Sequence, residues 1–193
     1  MNQQEINKIR RRLKKHLDRP RYEHTLGVMY TAGSMAMCHN VDIDQAMTAG
    51  ILHDCAKCIP DEKKIRLCSK YHLNISDAEY ANPSLIHAKL GAFMAAHKYH
   101  IDDKEIVEAI ACHTTGKPQM STLDKIIYIA DYIEPGRCEA PNLGKIRQLA
   151  FEDLNECLYR ILADSLDYLA KKDAILDPMT KKTFEYYKRK LKK

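Results

Sequence analysis

A chain of 193 residues is long enough to bury a core without disulfides or a structural metal. Its 31 basic and 26 acidic residues leave a net charge of +5, too mild to declare a nucleic-acid binder by itself. Seven cysteines, an odd number without ladder spacing, exclude a secreted disulfide scaffold and favour reduced thiols in the cytoplasm.

Ile6, Ile9, Leu13 and Leu17 recur at helical spacing and predict a basic amphipathic helix over 3–18. Pro20 suits a helix start, and a helix rich in small residues is expected from about Tyr22 to Cys38. Asp42 or Asp44 is the expected cap of a third helix, DQAMTAGILHDCAKC, apolar on nearly every side from Ala46 to Leu52 and therefore central. Residues 59–83 read as mixed and polar, with one short helix before an NPS turn. Ser84 is the expected cap of LIHAKLGAFMAAHKYH, Asp102 or Asp103 of DKEIVEAIACH, and Ser121 of STLDKIIYIADYIEPG. One long helix then carries Ile146, Leu149, Ala150, Leu154, Cys157, Leu158, Ile161, Leu162, Ser165 and Leu169, followed by a short basic, aromatic tail helix.

No strand alternation or repeat is visible, so the expected fold is all-α and single-domain over 1–193. Its core lies at about 20–180, with a basic tail at 181–193. MNQQEINKIRRR lacks the apolar centre of a signal peptide, and no run approaches the ~18 apolar residues of a spanning helix.

Chemistry is expected where polar residues interrupt apolar stripes. His113 continues the face of Ile106, Ala109 and Ile110, and His87 shares a face with Leu90, Gly91 and Met94. His24 lies above Val28, Ala32 and Met35, Asp131 lies one turn beyond Ile127, and His53-Asp54 ends the apolar third helix. A single such histidine is an ordinary hydrogen-bonded core residue. Carboxylates, however, are almost never buried without a partner, and several buried His with two Asp are costly unless they share a cation. Imidazole and carboxylate without thiolate suit Fe, Mn, Co or Zn. Cys55-x-x-Cys58 competes for attention, but the other cysteines stand singly and supply no second zinc-ligand pair, so both read as structural thiols. The basic ends read as solvated helix faces. The rival is an RNA- or ribosome-binding module, since FEYYKRKLKK interleaves aromatics with cations, yet no RNP, KH or zinc-finger pattern accompanies it.

The order His24, His53-Asp54, His87, His113, Asp131 resembles the HD-domain superfamily of metal-dependent phosphohydrolases. RYEHTLGV, AGILHDCAK, HAKLGA, ACHTTG and DKIIYIADYIEPGR are similar to its YqeK family, over about residues 20–180. The resemblance implies a helical symmetrical bis(5'-nucleosyl)-tetraphosphatase that cleaves diadenosine tetraphosphate to two ADP with a metal-activated water. It implies metal at His24, His53, Asp54 and Asp131, with iron foremost, Mn, Co, Zn or Mg as alternatives, and one or two ions. His87 and His113 would face the phosphates or a second metal, and Asp54, Lys57, His87 and His113 would form the catalytic set. Substrate contacts would come from Arg21, Lys57, His87, His113 and Arg137. The segment Ala174, Ile175, Leu176, Asp177, Pro178, Met179 would close over the nucleoside. The ligand set alone leaves open other HD activities: 5'-nucleotidase, cyclic-nucleotide phosphodiesterase or guanosine-tetraphosphate hydrolase. Expected partners are the dinucleotide, its ADP- or GDP-like product and a second copy in a homodimer; membrane and nucleic acid are not expected.

Overall fold

A computed structural model describes residues 3–172 and 175–192, and every regular element among them is helical. The helices run α1 (Gln3–Leu13), α2 (Arg19–Cys38), α3 (Ile43–Leu52), α4 (Asp61–Lys70), α5 (Asp77–Ala81) and α6 (Ile86–Lys98). They continue as α7 (Lys104–Cys112), α8 (Thr122–Ile133), α9 (Leu143–Glu152), α10 (Leu154–Lys171) and α11 (Pro178–Leu191). The central layer is α2 laid along α3 and α8, with α7 against α6, α3 and α8, and α10 closing the far side of α8. Their apolar faces merge into one cluster that includes Val28, Met35, Ile51, Leu52, Ile110, Ile126, Ile127 and Ile161. A second, small cluster of Ala56, Cys68, Ile86 and Leu90 lies under α4 and α6.

Caps set most of the boundaries. Asp42 accepts from Gln45 N, Asp103 from Glu105 N and Ile106 N, and Ser121 forms a reciprocal capping box with Asp124. At Gly50, α3 and α2 meet backbone to backbone: a Cβ there would stand 2.9 Å from Met29 Cα.

Five elements differ from expectation, four of them for a local reason. The first helix stops at Leu13, not residue 18, because Lys15 N and His16 N bond three residues back and the chain extends to let Asp18 cap α2. The third ends at Leu52, and residues 53–58 descend in three-residue turns bonded Cys55 N to Leu52 O and Lys57 N to Asp54 O. Ser84 caps nothing: its hydroxyl donates to Asn82 Oδ1 inside the 3-10 turn Pro83–Leu85 that precedes α6. The single long helix is α9 and α10, broken at Asp153, whose extended backbone lets its carboxylate accept from Asn155 N and Glu156 N. Residues 59–83 hold two short helices, α4 and α5, rather than one.

The tail helix is part of the packing. Phe184 stacks on Tyr159 with centroids 5.4 Å apart, and Tyr187 is fully buried with its hydroxyl accepting from Met120 N. Tyr186 packs on the same core, so the aromatics of FEYYKRKLKK are turned inward, away from any base they might have stacked on. All seven cysteines are free thiols, and no helix of the described residues is long and apolar enough to cross a membrane.

Candidate metal centre and its cleft

Five helices or their ends deliver six side chains to one point. His24 comes from the first turns of α2, His53 and Asp54 from the end of α3, His87 from α6, His113 from the cap of α7 and Asp131 from α8. His24 Nε2 lies 3.0 Å from Asp131 Oδ1, His53 Nε2 3.4 Å from Asp54 Oδ2, and His87 Nε2 3.1 Å from Asp54 Oδ1. Donor atoms of His24, His53 and Asp131 lie within 4.8 Å of one another, as do those of His53, Asp54 and His113.

Backbone carbonyls set the tautomers. His53 Nδ1 donates to Gly50 O, His87 Nδ1 to Ser84 O and His113 Nδ1 to Ile110 O, each to the carbonyl three residues earlier. A carbonyl only accepts, so each neutral ring keeps its Nε2 lone pair for the interior. Those lone pairs meet with no hydrogen between them: His87 Nε2 is 3.1 Å from His113 Nε2. His24 Nε2, His53 Nε2 and Asp54 Oδ1 are buried and make no hydrogen bond. Lone pairs converging at such distances repel unless a cation sits among them, so these donors fit a metal ion.

Electrostatics agree. Burial raises the Asp54 carboxyl pKa, but without an ion any proton taken up by His53, His113 or His87 turns its ring into a charged donor to Asp54, and this outweighs burial and holds the carboxyl well below the usual range. Asp131 is likewise held low: burial is overcome by His24 and His53, which act on it as donor and charge when they are protonated in place of binding an ion. Burial pushes His87 down to about 4 despite Asp54, so it is neutral at pH 7. Burial also lowers Lys57, against the pull of Asp54. The expectation of two deeply buried carboxylates needs correction: Asp54 is buried, but the Asp131 side chain is 24 % exposed because it stands at the rim of a cleft.

The cations expected to meet the substrate already lie on these carboxylates. Arg21 Nη1 is 2.7 Å from Asp54 Oδ2, and Arg137 Nη2 is 2.7 Å from Asp131 Oδ1. Lys57 Nζ lies 3.5 Å from His87 Nδ1. From His113 and Asp131 a hollow of about 500 Å³ opens past Thr114, Tyr128, Tyr132, Arg137 and Ser165. It overlaps a second hollow, also about 500 Å³, that continues to Tyr168, Ile175, Asp177 and Thr180. Of the segment expected to close the nucleoside end, Ile175 and Asp177 therefore line the cleft. Leu176, Pro178 and Met179 do not, because Asp177 turns the chain into α11 by capping Met179 N. Ala174 lies outside the described residues.

Cys55 and Cys58 face the other way. Cys55 donates to Gly91 O, its thiol pushed up to about 12 by burial, and Cys58 donates to Asp18 Oδ2. Both line a separate cavity of about 840 Å³ with Leu67, Phe93 and Tyr99. Residues that the sequence did not single out for chemistry are Thr114, Tyr128, Tyr132 and Ser165 in the cleft, the last read only as part of a helix stripe, and Glu134, whose Oε1 lies 3.0 Å from His24 Nδ1. The tyrosines flank Asp131 at helical spacing, which was a usable signal.

The family profile described as HD domain matches residues 21–136. The chain belongs to the HD-domain family. The HD-domain match spans His24, His53, Asp54, Lys57, His87, His113, Asp131 and Glu134, and stops just before Arg137. Membership in this family carries divalent-metal binding, for which the donor cluster is suited. The chain is 38% identical over 172 residues to a Halalkalibacterium halodurans protein named symmetrical bis(5'-nucleosyl)-tetraphosphatase, covering 89% of this chain and 91% of that one. A Bacillus subtilis protein of the same name is 36% identical over 174 residues, covering 90% and 92%. A crystal structure described as a predicted HD superfamily hydrolase involved in NAD metabolism from Clostridium acetobutylicum superposes with a TM-score of 0.92 at 40% identity, covering 95% of this chain and 97% of that one.

Proposed function

We propose that this protein hydrolyses dinucleoside tetraphosphates symmetrically, adding one water to diadenosine tetraphosphate and releasing two ADP. The observation that carries the reading is the meeting of histidine lone pairs and two carboxylates at the inner end of a cleft lined by tyrosines and Arg137. The whole-length similarity to the two tetraphosphatases supplies the substrate class.

His24, His53, Asp54 and Asp131 would hold the ion; this imidazole and carboxylate set suits Fe, Mn, Co or Zn, and the family resemblance puts iron foremost. Such an ion lowers the pKa of a coordinated water from 15.7 toward ~7. Arg21, Lys57 and Arg137 bring positive charge to the same edge of the site, where a polyphosphate chain needs it most as charge develops on the oxygens. His87, neutral at pH 7, is no standing acid; with Nδ1 committed to Ser84 O, it turns its Nε2 lone pair to the interior beside His113. The departing diphosphate needs little help, because a terminal phosphate holds its second proton only below about pH 6. The cleft beyond Arg137 is lined by Tyr128, Tyr132 and Tyr168, aromatic surface suited to a nucleoside.

The test is product identification. Metal-reconstituted protein with diadenosine tetraphosphate should give two ADP by chromatography. ATP plus AMP, or adenosine plus phosphate, would overturn the symmetrical reading.

A further inference from the structure

Glu134 solves a problem that the other site histidines do not have. His53, His87 and His113 each find a carbonyl three residues back at a turn or helix end. His24 lies inside α2, and its Nδ1 is turned to a side chain rather than to a carbonyl of its own helix. The acceptor is Glu134 Oε1, 3.0 Å away and 110 residues along the chain.

We propose that Glu134 is the positioning residue of His24, holding its ring with Nδ1 protonated and Nε2 turned as a lone pair toward the metal. This rests on His24 being a metal ligand. The place for the carboxylate is built into both motifs that border it. Glu134 is 4% exposed, and its second oxygen accepts from Gly136 N at 2.6 Å. Gly27, one turn after His24, leaves the necessary space: a Cβ there would stand 2.4 Å from Glu134 Oε2. A Cβ on Gly136 would come within 3.0 Å of both oxygens. Arg147 fixes the backbone underneath, donating to the carbonyls of Ile133, Glu134 and Arg137. Gly27 of EHTLG and the Glu and Gly of IEPG, which have no direct part in the chemistry, thus acquire one purpose.

The carboxylate is needed as such because both of its oxygens accept. Glutamine has one acceptor and one donor, so in Glu134→Gln either the Gly136 N–H or the His24 Nδ1–H loses its acceptor. A donor placed against Nδ1 selects the tautomer whose Nε2 carries a proton and no longer ligates. The expected result is metal affinity lower by about 10–100-fold, with melting temperature and helix content near wild type, and turnover restored by raising the metal concentration. Wild-type metal affinity in both Glu134→Gln and Glu134→Ala, the second of which leaves no side-chain acceptor in any orientation, overturns the proposal. A second measurement needs no variant: ¹⁵N-edited NMR of the zinc-loaded wild-type protein should show a slowly exchanging proton on His24 Nδ1 and zinc on Nε2. Zinc on Nδ1, or an unprotonated Nδ1, overturns it equally. Neither measurement uses substrate. A protein that passes both yet leaves diadenosine tetraphosphate intact refutes the proposed function and not the role of Glu134.

Discussion

The turn at residues 53–58 has two sides with opposite characters. Inward, His53, Asp54 and Lys57 present lone pairs, a carboxylate and an ammonium to a shared interior. Outward, Cys55 and Cys58 give their thiols to a carbonyl and a carboxylate and line a largely apolar cavity. One short segment thus joins a centre built on electrostatics to a wall built on packing. The spacing of a C-x-x-C pair carries no chemistry when its sulfurs turn away from every other ligand.

The sharpest way to break that contrast is Asp54→Ala. Loss of the carboxylate that contacts four histidines and Arg21 should empty the site of metal and cut hydrolysis by at least about 10³-fold, while circular dichroism keeps its helical signal. Retained metal in that variant would move the centre elsewhere. Lys57→Ala should leave metal content unchanged and lower turnover by about 10²-fold, placing its effect on the phosphate rather than the ion. A wild-type rate would return Lys57 to the solvated surface. On the other side, Cys55→Ala should cost about 1 kcal/mol in chemical denaturation with full activity, and Cys58→Ser should stay within about 0.5 kcal/mol. Loss of metal from either would erase the distinction between the two sides.

Much of this was readable in advance where one residue dominates its neighbourhood. Asp103, Ser121 and Pro20 announce helix starts because an oxygen or a fixed φ acts on the next turn alone. The six inward residues were legible because each interrupts an apolar stripe. What escaped was set by residues distant in sequence or by competition between equal signals. Asp153 interrupts a period that continues unbroken on both sides, so its apolar neighbours hide the break. Glu134 sits beside a proline and a glycine and looks like turn punctuation; only the fold brings it under His24. The cleft tyrosines, 128 and 132, have the size of ordinary core residues, and their place beside Asp131 was the one sequence sign that they line the hollow.

The spacing of His24 and His53 finally depends on something smaller than any side chain. At Gly50 the two helices that carry them rest main chain on main chain, within reach of Met29 Cα and Val28 O. Side chains elsewhere in the core adjust by changing rotamer, and backbones in direct contact have no such freedom. The width of the metal seat is therefore gauged by a hydrogen atom. Exchanging one aliphatic residue for another deeper in the bundle leaves that gauge untouched, whereas one methyl group at position 50 drives its two walls apart.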